Sequence, residues 1–537
     1  MEGVDPADED RGPRKGPVES GPSVTARVLH GASFILASRI INAASLFIVS
    51  VTLARYLGTE QYGLIAIALG MAGMLEVVGA LGLNTGSSRY IPFYQAKGRG
   101  EDVRRVIYIN VTTKIGMAVM LGALLYIAAG FMADLFDKPV EPLVQIAAIV
   151  LALNVLSGAF QGILRGFERL PLMALANVVR DVVWSVTAIT LVVVADMGPE
   201  GALWGTVAGA IMFLVLSLVG LAVALRSEVP ERGRLENRYD RKVLMALITF
   251  GIPVLLSKLL FLVFDWTGTY VVAYFGTVED VSIYNIAFGI VAIPLVLIKA
   301  IGVAMLPAMS RAYGEDRLGL MRTLWGGSLK LINSLFIPLT AMLMVLAAPA
   351  ILLIYGVDYV PGAMAVLILA PYLLVRPTGI TSNHILAAMA RQDIIFKVNM
   401  ASVAVNIGMS IVLMPAIGIE GVALAASCAF ILNSLLLYHF ARTKAGVEVD
   451  HGAMGKILAG AVMAMAVGAG VFWATEFLGQ DFVFLFMRLG AATLLGLGLY
   501  LVYIRRVHIF TEDEMENVRS VAEHSKLAGL ILKTLGQ

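Results

Sequence analysis

Apolar residues in this chain run in long unbroken stretches separated by short polar turns. A helix needs about 20 apolar residues to cross about 30 Å of hydrocarbon. Fourteen stretches meet that length: 28–54, 62–85, 106–133, 142–164, 171–195, 201–225, 243–268, 281–304, 325–355, 362–389, 398–416, 421–440, 457–475 and 482–504. The ten-residue alternation of a membrane barrel is absent. The pattern predicts an all-α polytopic membrane protein with about 14 transmembrane helices. Pro253, Pro294 and Pro377 interrupt the backbone ladder of their stretches and are candidate bending points.

Composition agrees. Of 537 residues, 59% are apolar and 15% charged, against about 45–50% and about 25% in soluble domains. A net charge of +2 without a polybasic block argues against nucleic-acid binding. The single Cys428 excludes a disulfide framework, and six scattered histidines give no metal cluster. No G-x-x-x-x-G-K-[ST] loop and no large polar domain is present, so an ATP-driven pump, a glycosyltransferase and a polymerase are all disfavoured. The chain is expected to be no enzyme and to carry no cofactor.

Loop charge then orients the chain, because basic residues favour the cytoplasmic side of short loops. With the N-terminus inside, the inner segments hold 30 Lys and Arg and the outer loops two, Arg55 and Lys138. The outer loops hold twelve acids, among them Asp134, Asp137, Glu200, Glu279, Asp280 and Asp481. Both termini are therefore expected in the cytoplasm.

The first six stretches resemble the next six at offsets of 214 to 222 residues. Tyr56-Leu57-Gly58-Thr59 matches Tyr274-Phe275-Gly276-Thr277, Ser38-Arg39 matches Ser257-Lys258, and Arg169 and Asn177 match Arg391 and Asn399. Six helices per copy keep both copies in one orientation, so two pseudo-symmetric lobes should face each other across a central cleft. The expected division is a disordered cytoplasmic tail (1–24), an N-lobe (25–226), a cytoplasmic linker (227–242), a C-lobe (243–441), two further helices (442–506) and a cytoplasmic C-terminal tail (507–537).

The phrase Ala54-Arg55-Tyr56-Leu57-Gly58-Thr59-Glu60-Gln61-Tyr62-Gly63 resembles the outer helix 1–2 turn of polysaccharide-type flippases. So does Gly162-Ile163-Leu164-Arg165-Gly166-Phe167. These flippases belong to the multidrug/oligosaccharidyl-lipid/polysaccharide exporter superfamily. The resemblance covers residues 25–505. It implies a plasma-membrane protein that moves a polyprenyl-(pyro)phosphate-linked oligosaccharide, or a related polysaccharide precursor, by alternating access. The implied partners are the lipid-linked glycan and membrane lipids, with glycan-assembly enzymes as neighbours of an otherwise monomeric chain. The alternative is a cation-coupled drug or metabolite exporter of the same superfamily.

Ions inside the apolar stretches are the candidate chemistry. Eight cations lie there, Arg39, Lys114, Arg180, Lys258, Lys299, Lys330, Arg376 and Arg488, against three acids, Glu76, Asp181 and Asp265. A charge at mid-membrane costs roughly 2.5–3.5 kcal/mol even on lenient scales. Lys114, Lys330 and Arg488 can snorkel to an interface. Arg39, Lys258 and Lys299, with Arg180 and Arg376, are the candidate anion-binding set; structural ion pairing is the competing reading. The resemblance implies a Na⁺ or H⁺ coupling site among helices 7, 11 and 12, where Asp265, Asn399, Ser402 and Asn406 lie. Glu76 and Asp181 are further protonatable candidates. Arg180 and Asp181, as chain neighbours about 100° apart on a helix, are expected to face different ways.

Overall fold

The computed structural model describes residues 24–228, 240–479, 481–507 and 509. Apart from their edges, the expected tails at 1–24 and 507–537 and the linker at 227–242 lie outside the described residues. The helices are α1 (Val24–Ala80), α2 (Leu83–Ala96), α3 (Gly100–Ile127), α4 (Ala129–Phe136), α5 (Glu141–Gly166), α6 (Leu170–Ile189), α7 (Gly198–Glu228) and α8 (Arg241–Phe275). They continue with α9 (Val278–Ala292), α10 (Leu295–Gly314), α11 (Leu318–Ile354), α12 (Gly362–Ala388), α13 (Gln392–Ile417), α14 (Ile419–Ala445), α15 (His451–Ala474) and α16 (Phe482–Arg506).

Twelve described segments are helical, long and apolar enough to cross a membrane. One of them, Ile41–Ala96, has 56 residues, about 84 Å at a 1.5 Å rise per residue. It turns at Gly58 (φ 73°, ψ −177°), a conformation that only glycine adopts cheaply. The stretch expected at 281–304 is divided at Ile293 and Pro294 into α9 and α10. Pro253 and Pro377 lie inside continuous helices. Of the three candidate bending points, only Pro294 separates two helices. The apolar pattern did not reveal α2, whose sequence LNTGSSRYIPFYQA is half polar and contains Pro92.

Successive helices place their turns at two ends. One carries the turns around residues 98, 168, 316, 390 and 446 and is rich in Arg and Lys; the other carries those around 137, 196, 276, 356, 418 and 479 and is rich in Asp and Glu. They are called here the basic-loop and acidic-loop ends. Four basic-loop turns share one backbone solution. Gly98, Glu168, Asp316 and Ala390 have φ between 55° and 68°. The arginine after each opens the next helix: Arg99 (φ −91°, ψ 64°), Arg169 (−81°, 48°), Arg317 (−95°, 63°) and Arg391 (−88°, 50°). In every case the arginine N–H donates to the carbonyl five residues back at 2.9 Å, closing the previous helix.

Helices α1, α3, α5, α6 and α7 pack on one another, and so do α8 to α14. Helices α15 and α16 pair and lean on α11. The two groups meet where α1 lies along α8 and α9 and where α2 lies on α8. Near the basic-loop end this contact is backbone on backbone, because a Cβ built on Gly82 would lie 2.2 Å from the Gly251 Cα.

Candidate functional site

In the first group the polar side chains converge within the helices. Asp181 of α6 is 1% exposed. It accepts from Asn42 of α1 at 3.0 Å and from the Nε and Nη2 of Arg180 at 2.9 and 2.8 Å. The expectation that Arg180 and Asp181 face apart therefore fails. Their Cα–Cβ bonds diverge, but the long arginine stem folds its guanidinium back onto the neighbouring carboxylate and lies over the Phe213 ring at 5.4 Å. Asn42, Asn154, Arg180, Asp181, Trp184 and Thr206 line a cavity of about 230 Å³. Glu76 of α1 accepts from Asn154 of α5 at 3.0 Å and lies in electrostatic range of Lys114 and Arg180.

In the second group, Arg376 of α12 is buried, with its guanidinium over the Phe430 ring at 4.8 Å. Phe430 is itself fixed between Tyr372 and Phe264, at 4.4 and 4.2 Å. Arg376 Nη1 donates to Asn433 of α14 over a long 3.5 Å, while its Nε has no hydrogen-bond partner among the described residues. Asn433 passes the network on, donating to Asn399 at 2.9 Å and Ser402 at 3.2 Å.

The residues expected at a coupling-ion site are thus divided. Asn399 joins Arg376 through Asn433. Asn406 donates instead to the Phe264 carbonyl at 3.1 Å and accepts from Ser410 at 3.4 Å. Asp265 and Lys258 are both exposed on α8, and Arg376 lies in electrostatic range of Asp265. Na⁺ needs a cage of free oxygens. Here each amide oxygen already accepts one hydrogen bond, and the Arg376 guanidinium stands beside Asn433. No group of three His, Cys, Asp or Glu suited to a metal is found among the described residues.

The remaining span cations separate. Lys114 is 1% exposed and does not snorkel; it sits in electrostatic range of Glu76 and, across the two groups, of Lys258. Lys330 does reach the basic-loop end, where its Nζ meets Asp450 at 2.8 Å. Arg488 closes the acidic-loop end of α15 by donating to the Phe472 and Gly479 carbonyls, each at 3.0 Å. Arg39 and Lys299 lie within α1 and α10, and their side chains are outside those described. Sequence reasoning missed Asn42, Asn154 and Asn433, which carry no charge; their signal was an amide inside an apolar run.

The family model described as polysaccharide biosynthesis protein matches residues 28–313, and the MatE model matches 253–412. An uncharacterized membrane protein of Methanocaldococcus jannaschii is 23% identical over 447 residues, spanning 79% of this chain and 87% of the relative. The probable low-salt glycan biosynthesis flippase Agl15 of Haloferax volcanii is 18% identical over 308 residues, spanning 57% and 63%. Among solved structures, the lipid II flippase MurJ in an inward closed conformation gives a TM-score of 0.66 at 18% identity, covering 88% of this chain and 98% of that one. An inward-facing MATE family transporter of the MOP superfamily gives 0.61 at 18% identity, covering 80% and 96%. At such identities the structural likeness speaks for the fold alone.

Proposed function

This chain belongs to the polysaccharide biosynthesis protein family, and we propose that it is a transporter, not an enzyme, that flips a polyprenyl-(pyro)phosphate-linked oligosaccharide, or a related polysaccharide precursor, across the plasma membrane by alternating access. The probable glycan flippase among its relatives supports this reading. On it, Ile41–Ala96 makes two passages that meet at Gly58, and Val278–Gly314 makes one passage broken at Pro294. The total is then fourteen, as two six-helix lobes with α15 and α16 outside them. The basic-loop end and both termini face the cytoplasm, as the 30-to-2 loop count requires.

The observation that carries the proposal is the excess of cations in the spans, eight against three acids, with cations of both lobes in electrostatic range of one another. Lys114 is buried and lies in electrostatic range of Lys258. Glu76 offsets part of the charge on Lys114, and a phosphate between the lobes would neutralise the cationic excess that remains. Arg39, Lys258 and Lys299 receive the phosphate, and Arg180 or Arg376 adds a planar fork that matches phosphate oxygens. The sugar occupies the hydrated space while the lipid tail stays in the bilayer. The MatE match over 253–412 favours a second reading, a cation-coupled exporter. Against it stands the excess of cations over acids in the spans.

The test is flipping of lipid-linked sugars in proteoliposomes. Losing one member of a charge pair costs about 2–5 kcal/mol of binding. Arg39→Ala, Lys258→Ala and Lys299→Ala should therefore nearly abolish flipping, and Arg39→Lys should keep part of it. Normal flipping in all three well-folded alanine variants discards the cationic site.

A further inference from the structure

Arg55, in the motif Ala54–Gly63, takes no part in the cargo reading and sits against the charge pattern of its own end. With Lys138 it is one of two basic residues in the acidic loops. Its guanidinium reaches across to the other group of helices. Nε donates to the Ile354 carbonyl at 2.7 Å, Nη2 donates to the Leu353 carbonyl, and the group stands 5.8 Å from the Phe482 ring of α16. Leu353 and Ile354 are the last residues of α11. The last four carbonyls of a helix lack intrahelical donors and carry the negative end of its dipole. Helix α11 has no basic residue of its own in its last turn. A side chain from α1 therefore caps it.

The neighbouring contacts cross the same boundary. The Tyr359 hydroxyl, on the loop after α11, donates to the Ala54 carbonyl at 3.1 Å. One layer deeper, Ser50 and Tyr62 hydrogen-bond at 2.9 Å, with Tyr355 of the other group beside Ser50. At the same end, Gly63 abuts Val278, the first residue of α9, so closely that a Cβ there would lie 2.2 Å from the Val278 carbonyl oxygen. The turn at Gly58 lets residues 50–55 and 62–63 both border the opposite helices.

We propose that Arg55 is the latch that holds the acidic-loop end shut between transport strokes. Opening the cleft on that side separates α1 from α11. The guanidinium then loses both acceptors and α11 loses its cap. The latch rests on the alternating-access reading, but its test needs no glycan.

In a Cys428→Ser background, spin labels at Asp137 and Asp358, both exposed at the acidic-loop end, report the inter-lobe distance by pulsed EPR in nanodiscs. Glutamine is too short to reach α11. Hydrogen bonds to a charged group are stronger than neutral ones, and exposure weakens them. Arg55→Gln should therefore raise the long-distance population about tenfold. Arg55→Lys, which keeps the charge but not the fork, should give a smaller rise, and Tyr359→Phe a rise in the same direction. If Arg55→Gln folds and its distance distribution matches that of the unmodified protein, the latch is refuted. If it does not fold, Arg55→Lys and Tyr359→Phe decide, and no shift in either refutes it. A shift in a protein that flips no glycan would sink the function reading and leave the latch. Normal glycan flipping without any shift would do the reverse.

Discussion

Gly82 offers a clean measure of how tightly the two groups of helices are joined. It has φ 68° and ψ −3°, and a Cβ added there would lie 2.2 Å from the Gly251 Cα and 2.3 Å from its carbonyl carbon and oxygen. Carbon atoms rest at about 3.5–4.0 Å, so Gly82→Ala must push α8 away by about 1 Å or more. Gly98 has the same φ of 68° but no atom within 4 Å of a built Cβ. Alanine in the left-handed region costs roughly 1–2 kcal/mol at either site. Overpacking adds about 1–3 kcal/mol at Gly82 alone. Gly98→Ala should thus lower stability by about 1–2 kcal/mol and leave flipping unchanged, whereas Gly82→Ala should lose roughly 2–5 kcal/mol and slow flipping. Gly251→Ala, in a helix and free of the left-handed penalty, should fall between them, since its Cβ would lie 2.7 Å from the Gly82 Cα. Thermal unfolding followed by size-exclusion fluorescence ranks the three variants. A Gly82→Ala melting temperature at or above that of Gly98→Ala would mean that the turn between α1 and α2 does not meet α8 there.

The helices were legible because a 20-residue apolar run has few other fates, whatever its detailed order. The turns were legible only in part. Arg169 and Arg391 stood out as repeat partners, but the left-handed residue before each was invisible, since Glu168 and Ala390 are not turn formers. The shared arginine geometry comes from the hydrogen bond five residues back, which any residue's N–H can make. Helix α2 was hidden because its apolar face is narrow: Leu83, Ile91 and Tyr94 are buried where α2 packs on α3, α5 and α8, and polar residues fill much of the rest. Charges marked the depth of the candidate site but not its partners. Arg180 and Asp181 pair because a flexible stem overrides the 100° between their Cβ vectors. Lys114 stays buried although its sequence position allowed snorkelling. The amides Asn42, Asn154 and Asn433 were overlooked because a neutral side chain inside an apolar run resembles ordinary helix polarity until its partner on another helix is known.

Two further outcomes follow from the ion contacts. The Lys330 ammonium, hydrogen-bonded to Asp450 at 2.8 Å, holds that carboxyl below the usual carboxylate range, helped by the Ala453 N–H. A lowered carboxyl stabilises the fold above its ordinary pKa of about 3.9 and loses that contribution as pH falls through the folded value. Asp450→Asn keeps the helix cap, so it should lower the melting temperature at pH 7, and the gap should close only as pH falls below the ordinary carboxylate range; a gap that does not change with pH would exclude the ion pair as the cause. Arg376 should behave in the opposite way. Among the described residues its one hydrogen bond is 3.5 Å long and its Nε is unsatisfied, and the side chain is buried. Burying a charge so thinly paired costs more than it returns, and an apolar replacement of similar length is often neutral or stabilising. Arg376→Met should keep or raise the melting temperature while glycan flipping falls, because the fork that would meet phosphate is gone. A lower melting temperature with flipping intact would make Arg376 a structural residue and remove it from the cargo site.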